Sequence, residues 1–234
     1  MISSAYRWVM GIVWVVLICV TTIVCSVFAK SGAYERFFKA MVRGLFRVLV
    51  IPVRVRGIGQ LPPQDAGRLF LCNHVSLFDV PLLCGYLPGM VRGVEWGRHF
   101  RWPLYGLMIR RLGNIPIDRD DAFASMRSLQ RAKRRLQAGH SLVIMPEAHR
   151  TVDGELRAFK RLPFHIAREA GVEVVPVGIS GLYGLHRKGS WVIHSSRLLL
   201  SVGTPIPADT VKTSTAAALR DLTRRRILEL VERP

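Results

Sequence analysis

His74 and Asp79 are the two residues of this sequence whose types and spacing could perform acid–base chemistry. An unperturbed imidazole titrates at about pH 6.5, so at neutral pH it can take a proton from a hydroxyl group. A carboxylate hydrogen-bonded to the other ring nitrogen would fix the tautomer and stabilise the imidazolium as it forms. The same spacing also suits an aspartate that caps a helix beginning at Val80, with the histidine in solvent. Spacing alone leaves a catalytic pair and a helix cap about equally supported.

Two further polar loops each carry an arginine shortly after a predicted strand. The first loop, 113–119, ends in Arg119, and the second, 145–151, contains Glu147 and Arg150. A guanidinium in such a place can hold a phosphate through two parallel hydrogen bonds. Either arginine alone is more typical of a solvated surface, but together with His74 they predict a base flanked by anion-binding groups. Loops at the carboxyl ends of strands are where α/β folds place such groups.

Strand-like and helix-like segments alternate along the chain and must position these loops. Strands are predicted where short apolar or alternating runs lie between turn signals, and helices where apolar residues recur at helical spacing. The predicted strands are 53–56, 68–72, 91–95, 114–117, 141–145, 172–178 and 198–202, and the predicted helices are 80–86, 121–138, 163–170 and 213–232. This alternation predicts an α/β domain with a largely buried sheet.

An apolar segment precedes this domain, because no charged residue occurs from Trp8 to Ala29. As a helix rising about 1.5 Å per residue it would reach roughly the hydrocarbon thickness of a bilayer. A cleaved signal peptide is the less favoured alternative, since the run is long and only Arg7 and the amino terminus precede it. Because basic residues follow the segment, the positive-inside tendency places the rest of the chain on the cytoplasmic side of the cell inner membrane. These basic residues are Lys30, Arg36, Lys39, Arg43 and Arg47.

Residues 34–50 combine a basic stripe with an aromatic and aliphatic one at helical spacing. Such a helix can lie in a membrane interface, or it can pack on the domain as an ordinary amphipathic helix. The apolar segment upstream favours the interface, so we predict membrane-anchoring helices in residues 1–48 and a globular domain in residues 49–234. The four cysteines lie in apolar surroundings without metal-ligand spacing and are predicted to be buried free thiols. They are Cys19, Cys25, Cys72 and Cys84.

The chain is strongly basic, with 34 lysines and arginines against 16 aspartates and glutamates and a formal net charge of +18. This excess favours an anionic partner, which could be nucleic acid, an anionic bilayer or a phosphorylated substrate. The basic runs at 127–135 and 220–226 carry no aromatic platform and no nucleic-acid-binding motif. We therefore predict anionic membrane lipids as partners and no nucleic acid. A non-catalytic basic binding protein is the weaker alternative.

Four blocks of this sequence resemble those of the glycerolipid acyltransferases, specifically the 1-acylglycerol-3-phosphate acyltransferases of bacterial membranes. The blocks are Asn73-His74-x4-Asp79, Ile117-Asp118-Arg119, Pro146-Glu147 with Arg150, and Val175-Pro176-Val177. They occur in the family's order and the resemblance covers about residues 50–203. The first block is moderately specific, and four blocks in order are strongly specific.

The resemblance implies a role for each matching residue. His74 would be the general base and Asp79 its partner. The substrate-binding residues would be Asn73, Arg119, Glu147, Arg150 and Pro176. Arg119, Glu147 and Arg150 would hold the glycerol and phosphate of the acceptor, while Pro176 would shape the wall of the site. The implied fold is a mixed, largely buried sheet flanked by helices, with an amino-terminal membrane helix pair.

The implied reaction moves a fatty acyl group from acyl-CoA or acyl carrier protein to the free hydroxyl of a lysophospholipid, by default 1-acylglycerol-3-phosphate. The donor thioester is already activated, so neither a nucleophilic serine or cysteine nor a metal or other cofactor is expected. Proton removal by His74 would contribute about 10²–10⁴-fold. The oxyanion needs hydrogen-bond donors, for which backbone amides near Asn73 or in the third block are candidates.

This sequence departs from the family's pattern in the third block, where Ala148-His149 replaces Gly-Thr. If that glycine needs a positive φ, an alanine in its place would be strained. His149 is bulkier than threonine and could change which headgroup fits. Leu162-Pro163 also replaces the small residues that usually precede Phe164. These changes leave the reaction class intact, and they make another lysolipid acceptor the alternative.

Overall fold

A computed structural model of the chain describes residues 3–28, 31–63, 66–118 and 122–232. Its strands are β1 (Val53–Arg56), β2 (Leu69–Cys72), β3 (Val91–Trp96), β4 (Ile115–Ile117), β5 (Ser141–Ile144), β6 (Val174–Ser180) and β7 (Leu198–Val202). Its helices are α1 (Ser4–Phe28), α2 (Ser31–Val48), α3 (Asp79–Tyr86), α4 (Tyr105–Arg111), α5 (Ala122–Gln137), α6 (Leu162–Ala170), α7 (Leu182–Leu185), α8 (Ala208–Thr213) and α9 (Ala216–Leu230).

The seven strands form one sheet in the order β1-β7-β6-β2-β5-β3-β4. Strands β6, β2, β5, β3 and β4 run parallel, whereas β7 is antiparallel to β6 and is joined by a parallel β1. The mixed α/β fold that we predicted is confirmed, and each predicted strand is present. Because β2, β5 and β6 are parallel neighbours, their carboxyl ends meet at one edge of the sheet.

Both faces of the sheet are covered, which explains why β2, β5 and β6 are unbroken apolar runs. Side chains alternate across the sheet, so Phe70 and Cys72 join one core while Leu69 and Leu71 join the other. Helices α2, α3 and α4 contribute to the first core, and α5, α6, α8 and α9 contribute to the second. All four cysteines are free, and Cys25 is the one that is only partly buried.

Two helical features differ from the prediction. Helix α4 is not marked by a clear apolar period, and it is positioned by packing against α1. The single helix predicted at 213–232 is two helices, α8 and α9, separated at Ser214. Helix α9 begins after Thr215, whose side chain accepts a hydrogen bond from Ala218 N at 3.1 Å. This N-cap satisfies a free amide of the first turn and fixes where α9 starts.

Helix α1 is the one helix in the described part of the chain that is long and apolar enough to cross a membrane. It packs on α2 and α4 but leaves much of its surface exposed, including Val9, Ile12 and Val13. Arg7, only 3% exposed, fixes its amino-terminal end. The Arg7 guanidinium donates to Ile193 O at 3.1 Å and to Ser195 Oγ at 2.8 Å. The apolar helix is therefore tied to the body of the protein at this end.

Helix α2 packs on the domain as an ordinary amphipathic helix, because its apolar face points into the protein. Phe38, Val42 and Phe46 from that face are buried in the first core. The basic stripe is also used internally: Lys39 Nζ donates to Leu87 O and Gly89 O, and Arg43 Nε donates to Gly85 O. These carbonyls follow or end α3, where a helix leaves its last acceptors without partners. This packing is that of an ordinary amphipathic helix, and the membrane anchoring predicted for residues 1–48 stays a prediction.

Candidate active site

His74 follows the carboxyl end of β2, in the loop that leads into α3. Its Nδ1 lies 2.6 Å from Asp79 Oδ2. The Asp79 carboxylate is fully buried, and the His74 side chain is 19% exposed. The loop thus brings the two predicted residues into direct contact at the sheet edge where β2, β5 and β6 end.

The Asp79 carboxylate holds the histidine loop and does not cap α3. Helix α3 begins at Asp79, and its N-cap residue Phe78 makes no side-chain cap. The Asp79 oxygens instead accept from Val75 N at 2.8 Å and Ser76 N at 3.1 Å, in addition to His74 Nδ1. Of the two interpretations left open by the spacing, this geometry supports the histidine–aspartate pair.

The pairing also fixes the tautomer of the imidazole. An ionised carboxylate can only accept, so Nδ1 of a neutral His74 must carry the hydrogen that Asp79 receives. The lone pair is then on Nε2, which is the nitrogen left to take a proton from a substrate. His74 is therefore arranged as a general base supported by a carboxylate.

Glu147 is buried, and both of its carboxylate oxygens are occupied by backbone amides. Oε1 accepts from His74 N at 2.6 Å, and Oε2 accepts from Arg157 N at 2.8 Å. Burial raises the pKa of Glu147, while these two hydrogen bonds act in the opposite direction. These contacts join the loop that carries His74, residues 73–78, to the loop after β5. The acceptor-binding role that the resemblance implies for Glu147 stays a prediction.

Asn73 and Pro176 also lie in the framework of the site. The Asn73 side chain donates to Ile179 O at 2.9 Å and accepts from Ile179 N at 2.8 Å, which joins the end of β2 to β6. Pro176 is buried within β6, in register with Leu71, and its carbonyl accepts from Gly203 N. The substrate-binding role that the resemblance implies for these two residues stays a prediction.

Arg150 lies on the loop that closes over the other side of the His74 backbone. The next residue, Thr151, donates from its backbone N to His74 O at 2.9 Å. Arg150 itself is partly exposed and lies near enough to His186 to influence its pKa. Arg119, the second predicted arginine, lies outside the described residues. The predicted combination of a base flanked by anion-binding arginines stays a prediction.

Ala148 has φ +63°, in the left-handed region. The backbone at this position thus has the positive φ under which an alanine is strained, a conformation that costs an L-residue about 1–2 kcal/mol. The loop nevertheless keeps its place, since Glu147 and Thr151 on either side of it are bonded to the His74 backbone.

We expect Ala148→Gly to stabilise the protein by about 0.5–1 kcal/mol, because relief of the strain exceeds the added entropy of the unfolded chain. Urea unfolding measures the change. Ala158→Gly is the matched control, since Ala158 is exposed and is not among the described residues with positive φ. Equal shifts in the two variants would contradict the strain at Ala148.

His186 is a residue of this region that the sequence did not single out. It is buried edge-on against Trp8 of α1 and Phe78 of the catalytic loop, with ring centroids 5.8 Å and 6.0 Å away. Its backbone carbonyl accepts from Ser76 Oγ at 3.1 Å. His186 thus connects the apolar helix to the loop that carries the base. Only its burial between aromatic rings distant in sequence reveals it.

Burial lowers the pKa of His186 below its ordinary value of 6.5, and Arg150 adds to this effect. When the pKa of a histidine is lower in the folded protein, the unfolded chain binds a proton more readily. The stability that the neutral histidine contributes is fully present above about pH 6.5 and is lost as the pH falls through the folded-state pKa. We expect His186→Phe to unfold with a smaller loss of stability between pH 7.5 and pH 5 than the wild type. Urea unfolding at both pH values is the measurement. Exposed His165→Gln should keep the wild-type dependence, and the same dependence in His186→Phe would refute the assignment.

Within the described ranges, no three histidine, cysteine or carboxylate side chains are grouped so that they could hold a metal ion. The chemistry that the described residues offer is proton removal by His74 and attraction of an anion by Arg150.

Comparison with known proteins shows that residues 52–180 match the model of the Acyltransferase family. The chain is 28% identical over 161 residues to the chloroplastic 1-acyl-sn-glycerol-3-phosphate acyltransferase LPAT1 of Arabidopsis thaliana, covering 67% of this chain and 45% of that protein. It is 30% identical over 137 residues to a 1-acyl-sn-glycerol-3-phosphate acyltransferase of Chlamydomonas reinhardtii, covering 58% of this chain and 41% of that one. The chain therefore spans less than half the length of these two relatives.

A longer match is to the bovine 1-acyl-sn-glycerol-3-phosphate acyltransferase alpha, which is 28% identical over 220 residues, covering 92% of this chain and 75% of the relative. Among solved structures, the chain is similar to the 1-acyl-sn-glycerophosphate (LPA) acyltransferase PlsC from Thermotoga maritima. The TM-score is 0.83 at 23% identity, covering 97% of this chain and 92% of that one. This likeness establishes the same fold.

Proposed function

This chain belongs to the Acyltransferase family, and from that membership we propose that it transfers a fatty acyl group from a thioester to the free hydroxyl of a lysophospholipid. The acceptor by default is 1-acylglycerol-3-phosphate, which would give phosphatidic acid, because the relatives carry that name. The observation that carries the proposal is the 2.6 Å contact between His74 Nδ1 and buried Asp79.

In the proposed reaction the acceptor oxygen attacks the thioester carbonyl carbon while its proton passes to His74 Nε2. Asp79 stabilises the imidazolium that results. The tetrahedral oxyanion then collapses, the carbon–sulfur bond breaks, and the leaving thiolate takes the proton from His74. The products are the new ester and a free thiol, and no electrons are exchanged with a further reagent. Neither a metal nor another cofactor is required by this sequence of steps.

We propose that Arg150 holds the phosphate of the acceptor and that Arg119 acts with it, because the next residue, Thr151, is bonded to the His74 backbone. The Ala148-His149 pair directly precedes Arg150 in the sequence, and it is the part of the proposed acceptor site that differs from the family's pattern. For that reason a different lysophospholipid is the second candidate acceptor. Glu147 and Asn73 support this site from behind by holding the backbone of the loops.

The acyl donor is proposed to be acyl-CoA or acyl carrier protein. Both carry negative charge, in the phosphates of CoA or on an acidic carrier protein, and this basic chain offers matching surfaces. One of them is the exposed side of α5, with Arg127, Arg131 and Arg134.

We place the protein on the cell inner membrane, with residues 1–48 as the anchoring region and residues 49–234 as the catalytic domain on the cytoplasmic side. The exposed apolar surface of α1 supports this location. Trp191 is 83% exposed and lies against Trp8, near the amino-terminal end of α1. An exposed tryptophan in this position suits a membrane–water interface. Anionic lipids would complement the net charge, and nucleic acid is not a proposed partner.

Purified protein incubated with either donor and a mixture of lysolipids tests the proposal, with products identified by lipid mass spectrometry. We expect phosphatidic acid as the main product when lysophosphatidate is present. Preference for another lysolipid would keep the chemistry and change the acceptor. No acyl transfer to any acceptor, together with salt-sensitive binding to DNA, would instead favour a non-catalytic basic protein.

A further inference from the structure

A cavity lies at the edge of the sheet opposite His74, where β3 and β5 begin. Its volume is about 400 Å³. Its wall is built from the first turn of α2 with Tyr34, the start of β3 with Arg92, the end of α4 with Arg111, and the turn before β5 with His140. None of these residues takes part in the site around His74.

The cavity gathers positive charge. A Cβ atom added to Gly113 would lie 3.1 Å from Arg92 Nε and 3.9 Å from Arg135 Nη2, so both guanidinium groups lie beside Gly113. Burial, followed by repulsion from Arg135, lowers the pKa of Arg92. Burial, followed by the charges of Arg92 and Arg135, also lowers the pKa of His140. The cations therefore repel each other unless an anion lies between them.

One carboxylate, Glu35, is found among the described residues that line the cavity, and its oxygen is 4.0 Å from Lys39 Nζ. Because Lys39 already shares this charge, Glu35 neutralises at most part of the cluster. The cavity keeps a net positive charge.

Two polar atoms of this wall are buried without a hydrogen-bond partner in the part of the chain that the structure describes. They are Tyr34 Oη and Arg92 Nε. Both are donors, and a buried donor without an acceptor costs stability, so most buried donors are paired with protein, water or ligand. Two residues with such donors line one electropositive cavity, which makes the cavity a candidate site for a negatively charged acceptor.

We propose that this cavity binds a phosphate group, with Arg92 and Arg111 donating to its oxygens and Tyr34 contributing its hydroxyl. Planar guanidinium groups match the geometry of phosphate oxygens. Two sources offer this chemistry: the headgroup of an anionic phospholipid, and free phosphate. The cavity is lined by Tyr34 and Glu35 of α2, the helix that follows the apolar helix α1 along the chain, and Phe28 at the end of α1 is exposed. We therefore favour a lipid headgroup as the source. The site is independent of the proposed acyl transfer.

The test compares full-length wild type with Arg92→Gln/Arg111→Gln and, as a smaller change, with Tyr34→Phe. Titration calorimetry at low ionic strength measures binding of inorganic phosphate. Flotation with phosphatidylcholine vesicles, with and without phosphatidylglycerol, measures binding to an anionic lipid surface. Arg54→Gln/Arg225→Gln removes the same charge from exposed positions on β1 and α9 and serves as the control.

We expect the double variant to bind phosphate at least about tenfold more weakly than wild type and control, as loss of a charge-assisted hydrogen bond predicts. Tyr34→Phe should also weaken phosphate binding. Because it is the smaller change, we expect it to fold even if the double variant does not. Weaker flotation on phosphatidylglycerol vesicles as well would identify the lipid headgroup as the source. Weaker phosphate binding alone would identify free phosphate.

Unchanged binding to both phosphate and vesicles, or an equal loss in the charge control, would overturn the proposal. Acyl transfer from dispersed substrates should be retained in the cavity variants, because His74 and Asp79 lie at the opposite edge of the sheet. A failure of this site would therefore leave the proposed reaction untouched, and the reverse also holds.

Discussion

Replacing His74 with alanine is expected to lower the rate of acyl transfer by about 10²–10⁴-fold, the contribution of a positioned general base. The side chain is the only part of His74 that should matter for this loss. Its backbone N and O remain bonded to Glu147 and Thr151 whatever the side chain is. The variant should therefore fold and bind lysolipid while losing the step in which the hydroxyl is deprotonated.

Single-turnover measurement of acyl transfer to lysophosphatidate at saturating donor separates that step from binding. His165→Ala, at an exposed position of α6, removes an imidazole far from the dyad and should keep the wild-type rate. If folded His74→Ala retained a rate within a few-fold of the wild type, His74 would not be the base.

Asp79→Asn is expected to produce a rate loss of about 10²-fold or more together with a loss of stability of about 1–3 kcal/mol. The carboxylate accepts from His74 Nδ1 and from the amides of Val75 and Ser76, three donors that converge on one buried group. An amide would bring its own hydrogens to this cluster. If its NH₂ faces His74, Nδ1 must become an acceptor and the proton moves to Nε2, where it blocks the base.

Urea unfolding and steady-state kinetics on the same preparation distinguish the two parts of this effect. Asp221→Asn is a suitable control, because Asp221 is an exposed residue of α9 that pairs with neighbouring Arg220. Near-normal kinetics in a destabilised Asp79→Asn would limit Asp79 to holding the loop. Normal stability with a large rate loss would assign it to the imidazole alone.

Local patterns were sufficient for most of the fold. The apolar runs of β2, β5 and β6 predicted strands of a largely buried sheet, and the structure contains them. Helices α3, α5 and α6 were likewise predicted near their observed limits. A strand or helix repeats every two or 3.6 residues, so its pattern is present in the sequence itself. Helix α4 carried no clear period, and its position depends on packing against α1.

The sequence by itself limited His74 and Asp79 to two interpretations, a catalytic pair or a helix cap, because a separation of five residues spans a loop and the first turn of a helix. It also determined that Ala148 would be strained if its position needed a positive φ, and the loop does need one. Both inferences depend on short-range geometry, which residue types and spacing largely specify.

Only the tertiary structure decided the hydrogen-bond partners of the polar side chains around His74. Asn73 is bonded to a residue 106 positions away and Glu147 to one 73 positions away, so both hold separate parts of the chain together. A buried polar group takes whichever partner the fold brings beside it, and spacing along the chain does not reveal that partner. For the same reason, the contact of His186 with Trp8 and the cavity around Arg92 became visible only when distant elements were assembled.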